Sequence, residues 1–295
     1  MVNVRIGLAY AGICAIWGTT WLGIKVALTG LPPMGAAGVR FVVAAAFLYA
    51  LGLFSQRHRG TRPSLRVVFV LAATLFGLNY ALTYFAETHL ASGLVAVLFG
   101  TLPFFVFGFG ALMVGESVGW RTVGGAVLAL GGVAVISLTG EGGELIYALA
   151  ALAAAAISAF ANVYLKRHAA SDPFLTLPPA MLVAGVVLLA ASLVFERIDL
   201  HAAFALPSVL ATLYLSVVGS AIAFYLNHWL LQRLASWVVG LSALIIPVIA
   251  VIVGTVVAHE RFGPREIAGA ILVIGGVWLA LSQRAAAAEI AADAA

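Results

Sequence analysis

The chain has 295 residues, of which 64% are hydrophobic and 9% are charged, and its formal net charge at pH 7 is +4. Soluble domains carry about 25% charged residues, so this composition excludes an ordinary soluble protein and predicts an integral membrane protein in a lipid bilayer. The basic residues lie singly or in short loops between apolar runs, which argues against nucleic acid as a partner.

Charges, glycines and prolines divide the chain into ten apolar runs, each close to the about 20 residues that a helix needs to cross a hydrocarbon core. The predicted spans are residues 6–29, 34–54, 65–86, 91–113, 119–139, 145–167, 174–195, 207–230, 236–258 and 264–283. The sequence therefore predicts an all-α membrane protein with ten transmembrane helices. The connections are short and leave no room for a soluble catalytic domain.

The distribution of basic residues predicts the orientation of these spans. If the N-terminus is cytoplasmic, the outside loops hold only Arg197, Arg261 and Arg265. The inside loops then hold Arg5, Arg57, Arg59, Arg62, Arg66, Arg121, Lys166, Arg167, Arg233 and Arg284. Because basic loops stay in the cytoplasm, we predict a multi-pass protein of the bacterial inner (plasma) membrane with both termini cytoplasmic.

The chain contains an internal repeat. Residues 89–139 align without a gap with residues 233–283, a shift of 144 residues. Identical pairs include Leu90 with Leu234, Ser92 with Ser236, Pro103 with Pro247, Gly110 with Gly254, Glu116 with Glu260, and Arg121 with Arg265. Earlier residues match more weakly at a shift of 141, where Lys25 meets Lys166 and Pro32 meets Pro173. Proline, glutamate and arginine are uncommon in membrane spans, so their joint agreement indicates a duplication.

The repeat predicts two halves, residues 1–140 and 141–295, with five spans each. Because five is odd, the second half must insert upside down, which gives an inverted-topology repeat around a central cavity. Such repeats support alternating access, in which the two halves exchange conformations. A stable scaffold without transport is the alternative, but polar residues collect where a cavity would lie.

Several short motifs accompany this repeat: Trp17 with Gly18, the "ASG" and "ASW" openings of spans four and nine, their prolines, and Glu116 and Glu260 after them. In combination the chain resembles the drug/metabolite transporter superfamily of EamA type, and within it the branch of YddG-like amino-acid exporters. The resemblance implies a ten-helix inner-membrane exporter with a cavity between helices 1–4 and 6–9, and helices 5 and 10 at the periphery. It implies no motif that fixes the substrate.

Candidate substrate-binding residues come from polar and aromatic stripes, since residues three or four apart share a helix face. The first, third, sixth and eighth spans carry such stripes in otherwise apolar sequence, which indicates faces that avoid lipid. The predicted residues are Trp17, Thr20, Trp21, Asn79, Tyr80, Tyr84, Ser158, Asn162, Ser220, Phe224 and His228. Lipid contact or packing is the alternative for Trp17, and hydrogen bonding between helices is the alternative for the serines and asparagines.

Three residues are candidates for a gate or hinge. Arg40 lies near one end of the second span, where its side chain either snorkels to the interface or attracts a substrate carboxylate. Pro103 and Pro247 each remove a backbone donor in the middle of a predicted helix and free the carbonyl of Phe99 or Ala243. We predict kinks at both prolines.

The chain is predicted to be a transporter and not an enzyme, because "HERFG" at residues 259–263 lacks the second histidine of H-E-x-x-H, and no cofactor or metal is expected. The small-molecule substrate is predicted to be an amino acid, including aromatic ones; drugs, sugars and nucleosides remain alternatives, as does a passive channel. Glu87 and His228, near helix ends, are modest candidates for proton coupling, with interfacial positions as the alternative. The glycine-rich fifth and tenth spans and the residues Glu116 and Glu260 are interpreted as packing and anchoring features. We expect a monomer or a weak homodimer.

Overall fold

The computed structural model describes residues 4–55, 61–114, 119–137, 144–168, 171–234, 236–240 and 242–293. Apart from an isolated bridge between Thr61 and Ser171, the regular structure of these residues is helical. The first half contains α1 Val4–Ala27, α2 Pro33–Ser55, α3 Leu65–Leu71, π1 Ala72–Leu78, α4 Asn79–Glu87, α5 Ser92–Phe99, α6 Leu102–Val114 and α7 Trp120–Ser137. The second contains α8 Glu144–Arg167, α9 Pro173–Phe195, α10 Leu200–Ala203, α11 Leu206–Ser216, π2 Val217–Ile222, α12 Ala223–Leu231, α13 Ser236–Gly240, α14 Ser242–Val257 and α15 Pro264–Asp293.

Eight helical segments in the described ranges are long and apolar enough to cross a membrane. Two of the predicted spans are not among these eight: the fifth corresponds to α7, whose apolar part is shorter, and the tenth corresponds to α15. α15 continues to Asp293, ten residues beyond the predicted end at 283. Large apolar side chains are exposed around the bundle, with Phe54, Leu112 and Phe195 among the most exposed. Such an apolar exterior is suited to lipid contact.

The third and eighth predicted spans are interrupted by π-helical turns that the sequence pattern did not predict. In the first half the backbone amide of Asn79 donates to the carbonyl of Thr74, five residues earlier, which is the π-helical pattern. π2 interrupts the eighth span at Val217–Ile222. π-turns concentrate at functional sites. Two residues of the predicted polar stripes lie at these turns: Asn79 directly follows π1, and Ser220 lies within π2.

The two predicted hinge prolines lie in different local structures. The fourth span ends its first helix at Phe99 and begins a second at Leu102, so Pro103 is the second residue of α6. A proline is tolerated in the first turn because the amides there have no helical acceptor. Pro247, by contrast, lies inside the continuous helix α14.

Glycines bring two helix pairs into close contact. On α7 and α15, a Cβ at Gly132 would lie 2.6 Å from the carbonyl oxygen of Gly269, and a Cβ at Gly125 would overlap the carbonyl of Gly276. Residue numbers rise along α7 as they fall along α15, so the two helices run antiparallel. On α2 and α9, a Cβ at Gly38 would lie 2.9 Å from the backbone nitrogen of Leu189. Small residues are what allow helix backbones to approach this closely in a membrane.

Candidate functional site

A cavity lies in the interior of the bundle, between α1, α2, the π1–α4 segment, α5, α6, α8, α12, α13 and α14. The cavity and its mouth together hold about 1250 Å³. Its wall is mostly apolar with a few polar side chains, which is the usual composition of a small-molecule site. None of the described residues that line it is an aspartate or a glutamate.

The structure brings most of the predicted site residues to this cavity. The predicted residues that line it are Trp17, Thr20, Trp21, Arg40, Asn79, Tyr80, Pro103, Ser158, Asn162, Phe224 and Pro247. Three predicted residues, Tyr84, Ser220 and His228, do not line it. Tyr84 and Ser220 contact Arg40, whereas the Nε2 atom of the buried His228 lies 3.1 Å from the carbonyl oxygen of Ser171.

Arg40 is buried in the bundle, with 1% of its surface exposed, so the interpretation that its side chain snorkels to the interface is wrong. Its Nε atom donates to the Ser220 hydroxyl at 2.7 Å and its Nη2 atom donates to the Gly219 carbonyl at 3.2 Å. Both partners belong to the π2 turn. The Nη1 atom lies 3.4 Å from the Tyr84 hydroxyl, which makes a long contact. The guanidinium thus has three neutral hydrogen-bonding partners.

Aromatic rings form one side of the cavity next to Arg40. The guanidinium carbon of Arg40 lies 4.7 Å from the centroid of the Tyr80 ring, within the range of a cation–π contact. Phe224 meets Tyr80 and Trp17 edge-on, with ring centroids 6.3 and 5.6 Å apart. One helical turn further along α1, Trp21 packs edge-on against Phe99 at 5.4 Å. The aromatic side chains therefore form two groups at the cavity, Tyr80–Phe224–Trp17 and Trp21–Phe99.

The polar side chains of the cavity divide into satisfied and unsatisfied groups. The Asn162 amide donates to the Ser158 carbonyl at 2.8 Å, and the Asn79 amide donates to the Leu75 carbonyl at 3.1 Å. The indole nitrogens of Trp17 and Trp21 and the Nδ2 atom of Asn227 are buried without a hydrogen-bond partner. These are all donors, and buried donors without partners are costly. The cavity wall is therefore rich in donors and poor in negative charge.

The cavity is closed at one end of the bundle. Its lining runs along the α5–α6 segment from Ala96 to Phe107 and along α13 and α14 from Val239 to Pro247. Beyond these residues, at the end that holds Ser92, the helices pack directly. A Cβ at Gly93 would lie 3.0 Å from the Cα atom of Val251.

Some features of the site were not predicted from the sequence. Phe99, Ser242 and Leu75 line the cavity, but single apolar or hydroxyl residues give no signal in a chain this apolar. The alternative that Glu87 lies at the interface is wrong, because the side chain is fully buried and both of its carboxylate oxygens lack a hydrogen-bond partner. Glu116 lies outside the described residues.

A bundle of membrane-spanning helices around a cavity that is closed at one end has the architecture of a membrane transporter. The profile of the EamA-like transporter family matches the chain twice, at residues 5–138 and at residues 145–282. The chain belongs to this family. It is therefore a multi-pass membrane transporter and not an enzyme.

Individual relatives align along nearly the whole chain. Protein PagO of Salmonella typhimurium is 27% identical over 96% of this chain and 95% of its own length. The uncharacterized inner membrane transporter YedA of Escherichia coli is 31% identical, with 85% and 82% covered. A probable amino-acid metabolite efflux pump of Escherichia coli is 25% identical, with 90% and 91% covered.

A solved crystal structure of a protein at 21% identity has a TM-score of 0.70, with 94% of this chain and 96% of that chain covered. At this identity the likeness supports the fold alone.

Proposed function

We propose that the protein exports amino acids, including aromatic ones, across the bacterial inner membrane by alternating access. The observation that carries this proposal is Arg40, a buried cation with only neutral hydrogen-bonding partners, beside an aromatic cavity. The name of the relative that is a probable amino-acid metabolite efflux pump points to the same substrate class, and the name of YedA points to the inner membrane.

The carboxylate of the substrate binds Arg40 in this proposal. The buried Glu87 carboxylate interacts electrostatically with Arg40 but makes no hydrogen bond to it. A buried charge costs several kcal/mol unless it is paired and hydrogen-bonded, and a substrate carboxylate would take two parallel hydrogen bonds from the guanidinium. The long 3.4 Å contact to the Tyr84 hydroxyl is the bond that a carboxylate would replace. The stronger bonds to Ser220 and Gly219 keep the guanidinium in place while that exchange occurs.

The aromatic wall receives the substrate side chain. Trp17, Trp21 and Phe224 present rings to the cavity, and edge-on ring pairs add about 0.5–1.5 kcal/mol beyond their buried area. These contacts favour a small aromatic or apolar amino acid over a highly charged solute.

Alternating access rests on the internal repeat. We infer ten spans in two inverted halves, residues 1–140 and 141–295, with both termini in the cytoplasm. The contact of Gly125 with Gly276 and that of Gly132 with Gly269 exchange under the shift of 144 residues, as an antiparallel pseudo-two-fold relation requires. A second contact recurs in the same way: the Lys25 ammonium donates to the carbonyls of Glu87 and Leu90, and Lys166 donates to those of Leu231 and Leu234. With this orientation the closed end faces outward and the cavity faces inward.

The energy source of transport stays open between export down a gradient and proton antiport. The described residues of the cavity include no carboxylate that could carry a proton. Glu87, buried beside the closed end without a hydrogen-bond partner, is the candidate for coupling if protons are involved.

The test is radiolabelled flux in proteoliposomes of the purified protein, comparing threonine, methionine, phenylalanine and tryptophan, with and without a pH gradient. We expect saturable flux that is accelerated by unlabelled substrate on the far side, with the aromatic amino acids preferred. If the flux is the same with and without a pH gradient, the result favours facilitated export down the substrate gradient. No flux of any of the four would reject amino acids and move the assignment to drugs, sugars or nucleosides.

Counterflow separates a carrier from a passive channel. A carrier exchanges unlabelled substrate inside for labelled substrate outside and transiently concentrates the label, whereas a channel only equilibrates it. Vesicles without protein and vesicles with the Arg40→Met variant are the matched controls. Absence of counterflow despite measurable flux would reject alternating access.

A further inference from the structure

We propose that Glu260 is the latch that holds the cavity shut at its closed end. Its carboxylate binds the first backbone amides of α5, so that the connection after α14 is tied to the beginning of α5. The latch rests on the alternating access proposed above, since it has to open when the cavity opens on that side. It does not depend on which substrate is carried.

The latch has defined geometry. The Oε1 atom of Glu260 accepts a hydrogen bond from the Ser92 amide at 2.8 Å, and the Oε2 atom accepts one from the Gly93 amide at 3.3 Å. Both amides belong to the first turn of α5 and have no acceptor within the helix. A carboxylate at a helix N-terminus is also favoured by the helix dipole. The bond therefore joins two segments that are 168 residues apart in sequence.

The sequence around Glu260 is built to present this carboxylate. A Cβ at Gly254 would overlap the Oε2 atom of Glu260, so the glycine gives the side chain its place against α14. His259 has a φ of 53°, a left-handed conformation that costs a non-glycine residue free energy. This turn lets the amide of Glu260 donate to the Gly254 carbonyl at 3.0 Å and directs the side chain back along α14.

The latch acts at the closed end and not at the cavity wall. Neither Glu260 nor Ser92 lines the cavity. A Cβ at Gly93 would lie 2.9 Å from the Phe262 ring and 3.0 Å from the Cα atom of Val251, so the latch holds the α5 and α14 backbones in contact. Separation of these two helices would open a path from the cavity to this face.

α5 is suited to move as a unit. It is a helix of eight residues that ends at a break, Gly100 and Thr101, before α6 begins. One end of α5 lies at the break beside the cavity, and the other end is held by the hydrogen bonds to Glu260. Loss of the latch would free α5 to tilt about the break.

A second carboxylate provides a matched control. Glu196 accepts hydrogen bonds from the amides of Met34 and Gly35 at 2.9 and 3.1 Å, and so caps α2 in the same way. α2, however, is a continuous helix of 23 residues that packs on α9 through Gly38. Glu196 is therefore an anchor between helices that are already in contact, and its loss is not expected to open a path.

The experiment measures access to the cavity from the face that carries Glu260. In a Cys14→Ala background, Ala96→Cys places a single thiol on the cavity wall, and a membrane-impermeant thiol reagent is added to sealed vesicles on that face. We expect Glu260→Gln to label about 5-fold faster than its parent, because a carboxylate at a helix N-terminus shifts a two-state equilibrium by about that factor. Glu196→Gln is expected to label at the rate of the parent.

A second variant tests the latch without altering the glutamate. Ser92 is the first residue of α5, a position where proline is tolerated, and Ala91 before it already has the extended backbone that precedes proline. Ser92→Pro removes the amide that makes the 2.8 Å bond, and we expect it to label as fast as Glu260→Gln. Amide hydrogen exchange at Ser92 and Gly93 should also rise in Glu260→Gln.

Three results would overturn the latch: unchanged labelling in both variants, an equal increase in Glu196→Gln, or unchanged exchange at Ser92 and Gly93. The labelling needs no substrate. Faster labelling in the two latch variants without amino-acid flux would therefore support the latch and reject the proposed substrate class. Amino-acid flux with unchanged labelling would support the substrate class and reject the latch.

Discussion

The fourth and ninth predicted spans align without a gap in the internal repeat, yet their helices begin and end at different positions. In the fourth span the helix stops at Phe99 and restarts at Leu102, with Gly100 and Thr101 between. The residues that correspond to this break in the ninth span, Leu244 and Ile245, are helical within α14. Both spans border the cavity, and the first turn of α5 also donates hydrogen bonds to Glu260. The two related segments therefore place their helix ends at different positions, α5 ending at Phe99 and α13 at Gly240.

The same contrast applies to the binding groups. Under the shift of 141 residues, Arg40 on α2 corresponds to Met181 on α9, and both side chains are buried. One half supplies a buried cation, and the other has an apolar side chain of similar length at the matching position. The duplicated scaffold is therefore symmetric in its packing and asymmetric in its chemistry.

The largest effect is expected when Arg40 is replaced by methionine, the residue at the matching position of the second half. Arg40→Met should weaken binding of an amino acid by about 30-fold or more, the factor for losing about 2 kcal/mol when one partner of a buried charged pair is removed. The folded state should lose about 1–3 kcal/mol, because the buried Ser220 hydroxyl and Gly219 carbonyl lose their donor. Binding by isothermal calorimetry and thermal unfolding check the two halves of this prediction. Unchanged affinity would show that Arg40 does not bind the substrate.

The next largest effect is expected from glycine substitutions in the contact between α7 and α15. Gly132→Ala and Gly276→Ala insert a methyl group against backbone atoms of the partner helix, and each should cost roughly 1–3 kcal/mol through overpacking. The two losses should match, because the contacts exchange under the repeat. Gly131→Ala is the control, since no atom lies within 4 Å of its Cβ position. Thermal unfolding in detergent measures all three, and unequal losses would break the symmetry.

The two prolines should behave differently. Pro247→Ala restores a helical hydrogen bond inside α14 and stiffens it, so the exchange rate in counterflow should fall about threefold or more. Pro103→Ala should leave the rate near that of the parent, because position 103 is already in the first turn of α6. Equal changes in the exchange rate of the two variants would contradict this prediction, because they would show that Pro103 contributes to flexibility as much as Pro247 does.

The smallest effect concerns the turn that presents the latch. His259→Gly relieves a left-handed backbone conformation and should stabilise the protein by about 1 kcal/mol. The residue at the matching position of the first half is itself a glycine, Gly115. Thermal unfolding should shift upward by a few degrees in a protein of this size, with no change in thiol labelling of the cavity. A lower midpoint would show that the histidine side chain makes a contact worth more than the strain.

The sequence predicted the helical class and most of the cavity, and the reasons are physical. A bilayer requires long apolar helices, so charges and prolines mark their ends, and polar side chains on such helices have to face inward. Trp17, Asn79, Asn162 and Phe224 reach the cavity for this reason. His228 did not, because a buried polar side chain is equally satisfied by a backbone carbonyl, here that of Ser171.

The parts that the sequence did not predict depend on contacts between distant segments. Residue spacing could not show the π-turn that supplies both the Ser220 hydroxyl and the Gly219 carbonyl to Arg40, because a π-turn leaves the composition of the helix unchanged. The same spacing gave Pro103 and Pro247 the same role, since local sequence does not report that Gly100 already ends a helix. Burial of Arg40 was missed because distance along a helix does not show which helices surround it.

The most direct test of the central claim compares phenylalanine with phenylalaninamide as competitors of labelled phenylalanine flux in proteoliposomes. The two molecules share the ring and the amine, and only phenylalanine has the carboxylate that Arg40 is proposed to bind. We predict that phenylalanine competes strongly and the amide weakly in the parent protein, and that Arg40→Met removes this difference. Equal competition by both molecules in the parent protein would contradict the account.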